Sequence, residues 1–260
     1  MFTFAQAVHH PLSSPYIGLG AYSNKQVDLF SFHSNEASLA RVPTASMGIY
    51  SEKRFLLDEL GFYEATIAVP TSSGNFALDL GYFGFSIYNE SNLGITYARN
   101  LGSKLDIGAQ FNYYNVRIAG YGNGSSVNFA AGIILHLTDN LNAGFHVYNP
   151  TGSKLGKNPE EKLSSVYSAG IGYETSESFF MTLEIIKESD KPVNVNAGLQ
   201  YKILSQLMVR AGIAAGTSMF YAGFALKWKT IRLDITASYH PQLGVTPGLL
   251  LLFNLKGKES

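Results

Sequence analysis

The sequence predicts an all-β fold: a transmembrane antiparallel β-barrel of about fourteen strands with an N-terminal plug-like segment. Three observations carry this expectation. Hydrophobicity alternates with a period of two from Ala45 onward, many alternating runs reach ten residues or more, and the connections between runs switch between tight and open. Globular strands peak near about 5 to 6 residues, whereas a tilted membrane-spanning strand needs roughly 9 to 11.

Composition narrows the class further. In 260 residues, 19 Lys plus Arg balance 19 Asp plus Glu, which argues against a nucleic-acid binder. Charged residues make up 15%, below the roughly 25% of an ordinary soluble domain. Cysteine is absent, which removes disulfides, thiolate metal sites and cysteine nucleophiles and suits an oxidising compartment. The densest apolar run, Gly248 to Phe253, is far shorter than the roughly 18 residues of a membrane helix. Lipid must then meet strands.

Taken in order, residues 1–7 end in an Ala-x-Ala pattern (Ala5-Gln6-Ala7) and are expected to be the tail of a signal peptide. Residues 8–42 break the alternation. His9-His10-Pro11 is loop-like, Tyr16 to Tyr22 reads as a short strand, and Ser34 or Asn35 can cap a short helix reaching Leu39 or Arg41, with Glu36 near its positive end. Strand side chains alone cannot fill a lumen of this width. The buried character of Phe30, Phe32 and Leu39 therefore points to a folded plug rather than a periplasmic tail.

Residues 43–256 are expected to form the barrel. Ile107, Ala109, Phe111 and Tyr113 share one face, with Asp106, Gln110 and Asn112 on the other. Ile231, Leu233, Ile235, Ala237 and Tyr239 likewise oppose Arg232, Asp234, Thr236, Ser238 and His240. The predicted strands are 43–51, 60–70, 76–88, 91–100, 104–119, 126–138, 141–149, 164–175, 179–188, 192–204, 206–215, 218–229, 230–240 and 244–256. Tight links such as Leu101–Ser103 and Thr138–Asn140 alternate with open ones such as Ser51–Glu59, Gly120–Ser125 and Pro150–Leu163. Outer-membrane barrels show that asymmetry, and an even strand count puts both ends on the short-turn side. Pro247 predicts a bulge in the last strand. Residues 257–260 form a tail, so Phe253 is not the terminal aromatic usual in such barrels.

No catalytic, cofactor or metal site is expected, since neither Gly-x-Ser-x-Gly nor His-Glu-x-x-His occurs and the chain does not read as an enzyme. His136 and His146 share the polar register across the Thr138–Asn140 turn, without a clear carboxylate companion, and read as hydrogen-bonded lumen residues. Glu184, Gln200, Lys202, Arg210, Arg232 and Asp234 face the inferred interior as a polar wall. They either pair with one another or form a constriction that selects solutes or grips the plug. Trp228, Tyr173, Tyr201 and Tyr239 suit interfacial girdles. The Pro150–Leu163 loop, with Lys154, Lys157, Glu160, Glu161 and Lys162, is the most accessible surface for a protein contact.

Within the N-terminal segment, Asp28-x-x-Ser31-x-x-x-Asn35-x-Ala37-x-Leu39-Ala40 resembles a stretch near the N-terminus of the FadL-like outer-membrane barrels, in particular the PorV/PorQ branch. The family proline after the asparagine is Glu36 here. The resemblance implies a barrel in the cell outer membrane with N-terminal residues folded into its lumen and lipids around it. By its PorV/PorQ side it implies an accessory or scaffold role in type IX secretion, with a secretion-system protein as partner. By its FadL side it implies the alternative, transport of a hydrophobic small-molecule ligand. The first role calls for a lumen closed by charge pairs. The second calls for an apolar pocket near Phe30 and Phe32 and a lateral opening at Pro247.

Overall fold

The computed structural model describes residues 14–156, 162–189 and 191–255. The expected signal tail (1–7), the first part of the plug (8–13) and the C-terminal tail lie outside them. The strands are β1 (Ser46–Lys53), β2 (Gly61–Thr71), β3 (Gly74–Gly84), β4 (Tyr88–Asn100), β5 (Leu105–Ile118), β6 (Gly122–His136) and β7 (Leu141–Tyr148). They continue with β8 (Val166–Glu174), β9 (Phe179–Glu188), β10 (Asn194–Lys202), β11 (Leu207–Ala214), β12 (Met219–Trp228), β13 (Ile231–His240) and β14 (Gly244–Asn254). All fourteen form one closed barrel in sequence order, with β1 pairing antiparallel to β14. Closure satisfies the backbone ladder on every strand, which a bilayer requires.

Side-chain alternation sorts the wall into two faces. On β2, Tyr63, Ile67 and Val69 point outward and are about half exposed, while Glu64, Thr66 and Ala68 are buried toward the inside. The same parity runs round the ring, so the outer face is an apolar band for lipid and the inner face is polar. The structure is thus that of an outer-membrane protein. Trp228, Tyr173 and Tyr201 lie outward near the end that carries the short turns, and Tyr239 lies outward near the opposite end.

That short-turn end holds the connections 72–73, 101–104, 137–140, 175–178, 203–206 and 229–230, together with both ends of the ring. By the usual polarity of such barrels it faces the periplasm. The other end carries 54–60 and the long 149–165 connection.

Several local expectations need correction. The connection between β5 and β6 is 119–121, because Gly122 to Ser125 pair with Asn115 to Ile118 and extend the hairpin. The third strand runs 74–84 rather than 76–88, since Gly84 takes φ of 99° and turns the chain toward β4. Pro247 makes no bulge: it pairs with Ala237 within an unbroken register to β13, while the ladder to β1 ends one residue later in β14, at Gly248. The proline therefore removes no donor from the β1 seam. Beside it the chain crosses β14 through Phe55 and Leu56, both at positive φ, and the Phe55 amide donates to Thr246 Oγ1 at 3.0 Å.

Residues 14–42 turn inward. They form a short helix α1 (Ser14–Ile17) and three 3-10 turns, Leu19–Tyr22, Leu29–His33 and Glu36–Arg41. The strand expected over Tyr16 to Tyr22 is absent for a physical reason. The barrel is closed and offers no free edge, so the segment must satisfy its backbone locally. Tyr16, Ile17, Phe30, Phe32 and Leu39 are essentially fully buried, and they pack against inward-facing residues from opposite walls.

Inward glycines let the segment approach this closely. A Cβ at Gly108 would lie 2.6 Å from the Ala37 amide nitrogen, and one at Gly48 would lie 2.6 Å from the Phe30 ring. Gly108→Val is expected to drive residues 35–38 off the wall while leaving the β4–β5–β6 ladder intact. Faster proteolysis of the N-terminal segment in a barrel that still resists detergent unfolding would show this. Unchanged proteolysis would mean the approach is not tight.

Candidate functional site

Asp28 is the most connected residue of the segment. Its Oδ1 accepts from the Phe30 amide at 3.0 Å, and Ser31 Oγ accepts from the Asp28 amide at 2.9 Å, a reciprocal cap for the Leu29–His33 turn. Its Oδ2 accepts from Arg210 at 2.9 Å and from Arg232 at 2.8 Å. Arg210, 1% exposed, also donates to Gln200 Oε1 at 2.6 Å and to the Tyr16 carbonyl at 3.2 Å. Arg232 is shared with Asp234 at 2.7 Å. Four of the six inward wall residues singled out above, Gln200, Arg210, Arg232 and Asp234, thus gather round one carboxylate. Glu184 instead accepts from the Tyr22 hydroxyl at 2.8 Å, and Lys202 stands nearer the short turns, donating to the Glu177 carbonyl.

A second set of contacts lies across the barrel. Asn35 accepts from the Ala37 amide at 3.0 Å as the cap of its turn, and donates to the carbonyls of Phe145 and Ile133 on the wall. Glu36 faces His146 at 3.1 Å. Arg41 makes a two-pronged pair with the fully buried Asp106, at 2.6 and 3.0 Å. Asp106 also meets His136 Nε2 at 2.7 Å, while His136 Nδ1 meets Asn142. Both histidines therefore have carboxylate companions, contrary to the sequence expectation. Ala37 and Leu39 supply fully buried apolar contacts, Ala40 is nearly as buried, and the Leu39 carbonyl accepts from Asn75 at 2.7 Å. His33 and Glu64 stand 2.9 Å apart without hydrogen-bond alignment.

Glu64, Glu174 and Asn75 were not singled out from the sequence, and Asp106 was placed on the polar face of its strand but in no candidate site. Their signal was present, because each occupies the inward register of its strand and is buried there. What the sequence could not show was the partner, which arrives from up to 151 residues away, as when Glu174 accepts from the Ser23 hydroxyl.

Charge on the segment depends on pH in opposite senses at two points. Burial would raise Asp28, but Arg232 and Arg210 outweigh it and hold the carboxyl at about 2, below its ordinary 3.8. That contribution is complete above the ordinary value and is lost as pH falls through about 2. Burial disfavours charge on His33, but Glu64 outweighs it and raises the imidazole above its ordinary 6.5. This second contribution is complete below the ordinary value and fades as pH rises through the raised one. Resistance to thermal unfolding in detergent is expected to peak in the mildly acid range between. A monotonic rise into the alkaline range would contradict the His33–Glu64 pairing.

The lumen divides into two regions. Toward the open-loop end, Phe30, Phe32, Tyr50, Phe62, Tyr114 and Leu155 belong to one continuous apolar cluster. Leu155 and Leu163 reach it from the 149–165 connection, so part of the loop expected to face protein partners folds inward. Its residues 157–161, with Lys157, Glu160 and Glu161, lie outside the described residues. Toward the short-turn end, a cavity of about 440 Å³ opens between residues 25–29 and the wall of β10 to β14. Among the described residues no cluster of three or more His, Asp or Glu is placed to hold a metal.

No family model and no curated protein matches the sequence. Solved structures do share the fold. The CymD monoaromatic hydrocarbon channel superposes with a TM-score of 0.67 at 13% identity, over 95% of this chain and 97% of that one. The Pseudomonas putida toluene transporter TodX gives 0.63 at 12% identity, over 96% and 97%. A Pseudomonas aeruginosa FadL homologue gives 0.57 at 10% identity, over 94% and 98%. At this identity the likeness is one of fold. These three neighbours are by name a hydrocarbon channel, a toluene transporter and a FadL homologue, and none of them supports a place in the PorV/PorQ branch.

Proposed function

We propose that the protein is an outer-membrane channel for a hydrophobic small molecule, held in a closed state by residues 14–42 acting as a plug. The observation that carries this reading is the apolar cluster running from Leu155 and Leu163 down to Phe30 and Leu39 on the segment. An apolar solute gains by leaving water for such a cluster, whereas an ion or sugar would give up favourable hydration. Support also comes from the neighbours with the same fold, a monoaromatic hydrocarbon channel and a toluene transporter by name. The charge pairs round Asp28, Arg41 and His33 are the feature expected of a secretion accessory. In a channel they serve as the latch of the resting state. A secretion-system partner has no support beyond the motif resemblance.

Uptake of labelled toluene into cells expressing the chain tests the proposal. Leu155→Asp places a charge at the mouth of the column and is expected to lower uptake by about tenfold, as burying an unpaired carboxylate would. Uptake equal to that of cells without the protein would overturn the reading.

A further inference from the structure

The cavity at the short-turn end differs sharply from the apolar column. Lys25, Lys202, Arg210, Lys227, Lys229 and Arg232 line it, and Asp28 is its one acidic lining residue. The whole chain carries equal numbers of acidic and basic residues, so this concentration is local. Lys227 and Lys229 have no carboxylate within ion-pair reach among the described residues. Val27, Leu29, Leu207, Met208 and Leu252 complete the walls. Cations with donors to spare, set against apolar surface in a low-dielectric recess, form a binding site for an anion with an apolar body.

We propose that this cavity is an anion-binding site whose resident occupant is the Asp28 side chain. The Asp28 Oδ2 lies where two guanidinium groups converge, 2.9 Å from Arg210 and 2.8 Å from Arg232. A carboxylate tethered at the end of a short turn fills that position in the way a free carboxylate or phosphate would. Arg232 has a second carboxylate in Asp234, but among the described residues Arg210 has only Asp28. An incoming carboxylate or phosphate therefore competes with Asp28 for Arg210, while Lys227 and Lys229 at the mouth draw it in. The ligand class is a small organic anion, or the phosphate headgroup of an inner-leaflet lipid, which presents the same chemistry. The site is independent of the transport reading, because it is defined by binding alone.

The test uses the full chain in nonionic detergent, with benzoate as probe and benzamide as its neutral match, read by calorimetry. Asp28→Asn is the informative variant. Asparagine caps a turn about as well as aspartate but lacks the charge, so the fold is preserved while the competitor is removed. Saturable benzoate binding, absent for benzamide and about tenfold or more tighter in Asp28→Asn, is the expected result. The pair Lys227→Gln and Lys229→Gln, both exposed positions, should weaken binding and flatten its salt dependence. In nanodiscs, loss of benzoate binding when phosphatidylglycerol replaces phosphatidylcholine would identify a headgroup as the source, and retained binding would identify a free anion. Equal binding of benzoate and benzamide, or no gain in Asp28→Asn, would overturn the proposal.

Discussion

Asp28→Ala is expected to lower the stability of the folded protein by about 3–5 kcal/mol, with a smaller loss for Asp28→Asn. Removing the carboxylate leaves Arg210, which is almost fully buried, without an ion partner among the described residues, and deprives Arg232 of one of its two there. A stranded buried charge is the costly case, whereas deleting both members of a pair is often mild. Alanine also removes the cap that holds the Leu29–His33 turn, worth about 1 kcal/mol more. Asparagine keeps that cap and can still accept from a guanidinium, so the loss in Asp28→Asn isolates the charge, and the further loss in Asp28→Ala isolates the cap and the neutral acceptor. Unfolding followed by heat in detergent distinguishes these contributions. A loss for alanine no larger than that of an exposed position would mean that Arg210 finds water or another acceptor and that the latch is weak.

Deletion of residues 14–42 is expected to raise single-channel conductance in planar bilayers by about tenfold or more over the intact chain, since fourteen strands enclose more space than their own side chains fill. The effect is large because the segment does two things at once. Its buried rings at Tyr16, Phe30 and Phe32 take up the middle of the lumen, and its charges neutralise inward residues such as Asp106, Glu64 and Arg210. Freed of their partners, those wall residues would hydrate and draw water through the barrel. The bilayer record should also become salt-sensitive, as a pore lined by unpaired charge is. A conductance unchanged by the deletion would show that the outer loops alone close the channel.

Most of the barrel was legible in the sequence, and the reason is geometric. Alternation fixes parity along each strand, and lipid outside with polar residues inside gives that parity its sign. Ile107 against Asp106, or Ile235 against Asp234, is enough to orient a whole strand. Ends were harder. At Gly122 to Ser125 a glycine-rich stretch continues the hairpin, since a ladder can run through residues with little strand preference when its partner is long enough. Pro247 misled for a related reason: its effect depends on where the neighbouring strand stops, which the proline itself does not reveal.

The segment was harder still. The cap was placed at Ser34 or Asn35, and it is Asn35 that caps the Glu36–Arg41 turn, legible because a cap is a local bond. The pairing of Glu36 with His146, or of Arg41 with Asp106, joins residues distant in sequence, and charges on alternating strands carry no mark of the partner they will meet. The inward wall at Arg210 and Arg232 was visible as a set, but its centre at Asp28 was not.

The most direct test of the channel reading is native mass spectrometry of the protein extracted gently from its own outer membrane. An apolar small molecule released on activation, with no protein bound in fixed ratio, is the result predicted for a channel that takes hydrophobic small molecules. A stoichiometric protein partner with an empty lumen would contradict it, and would return the secretion accessory to first place.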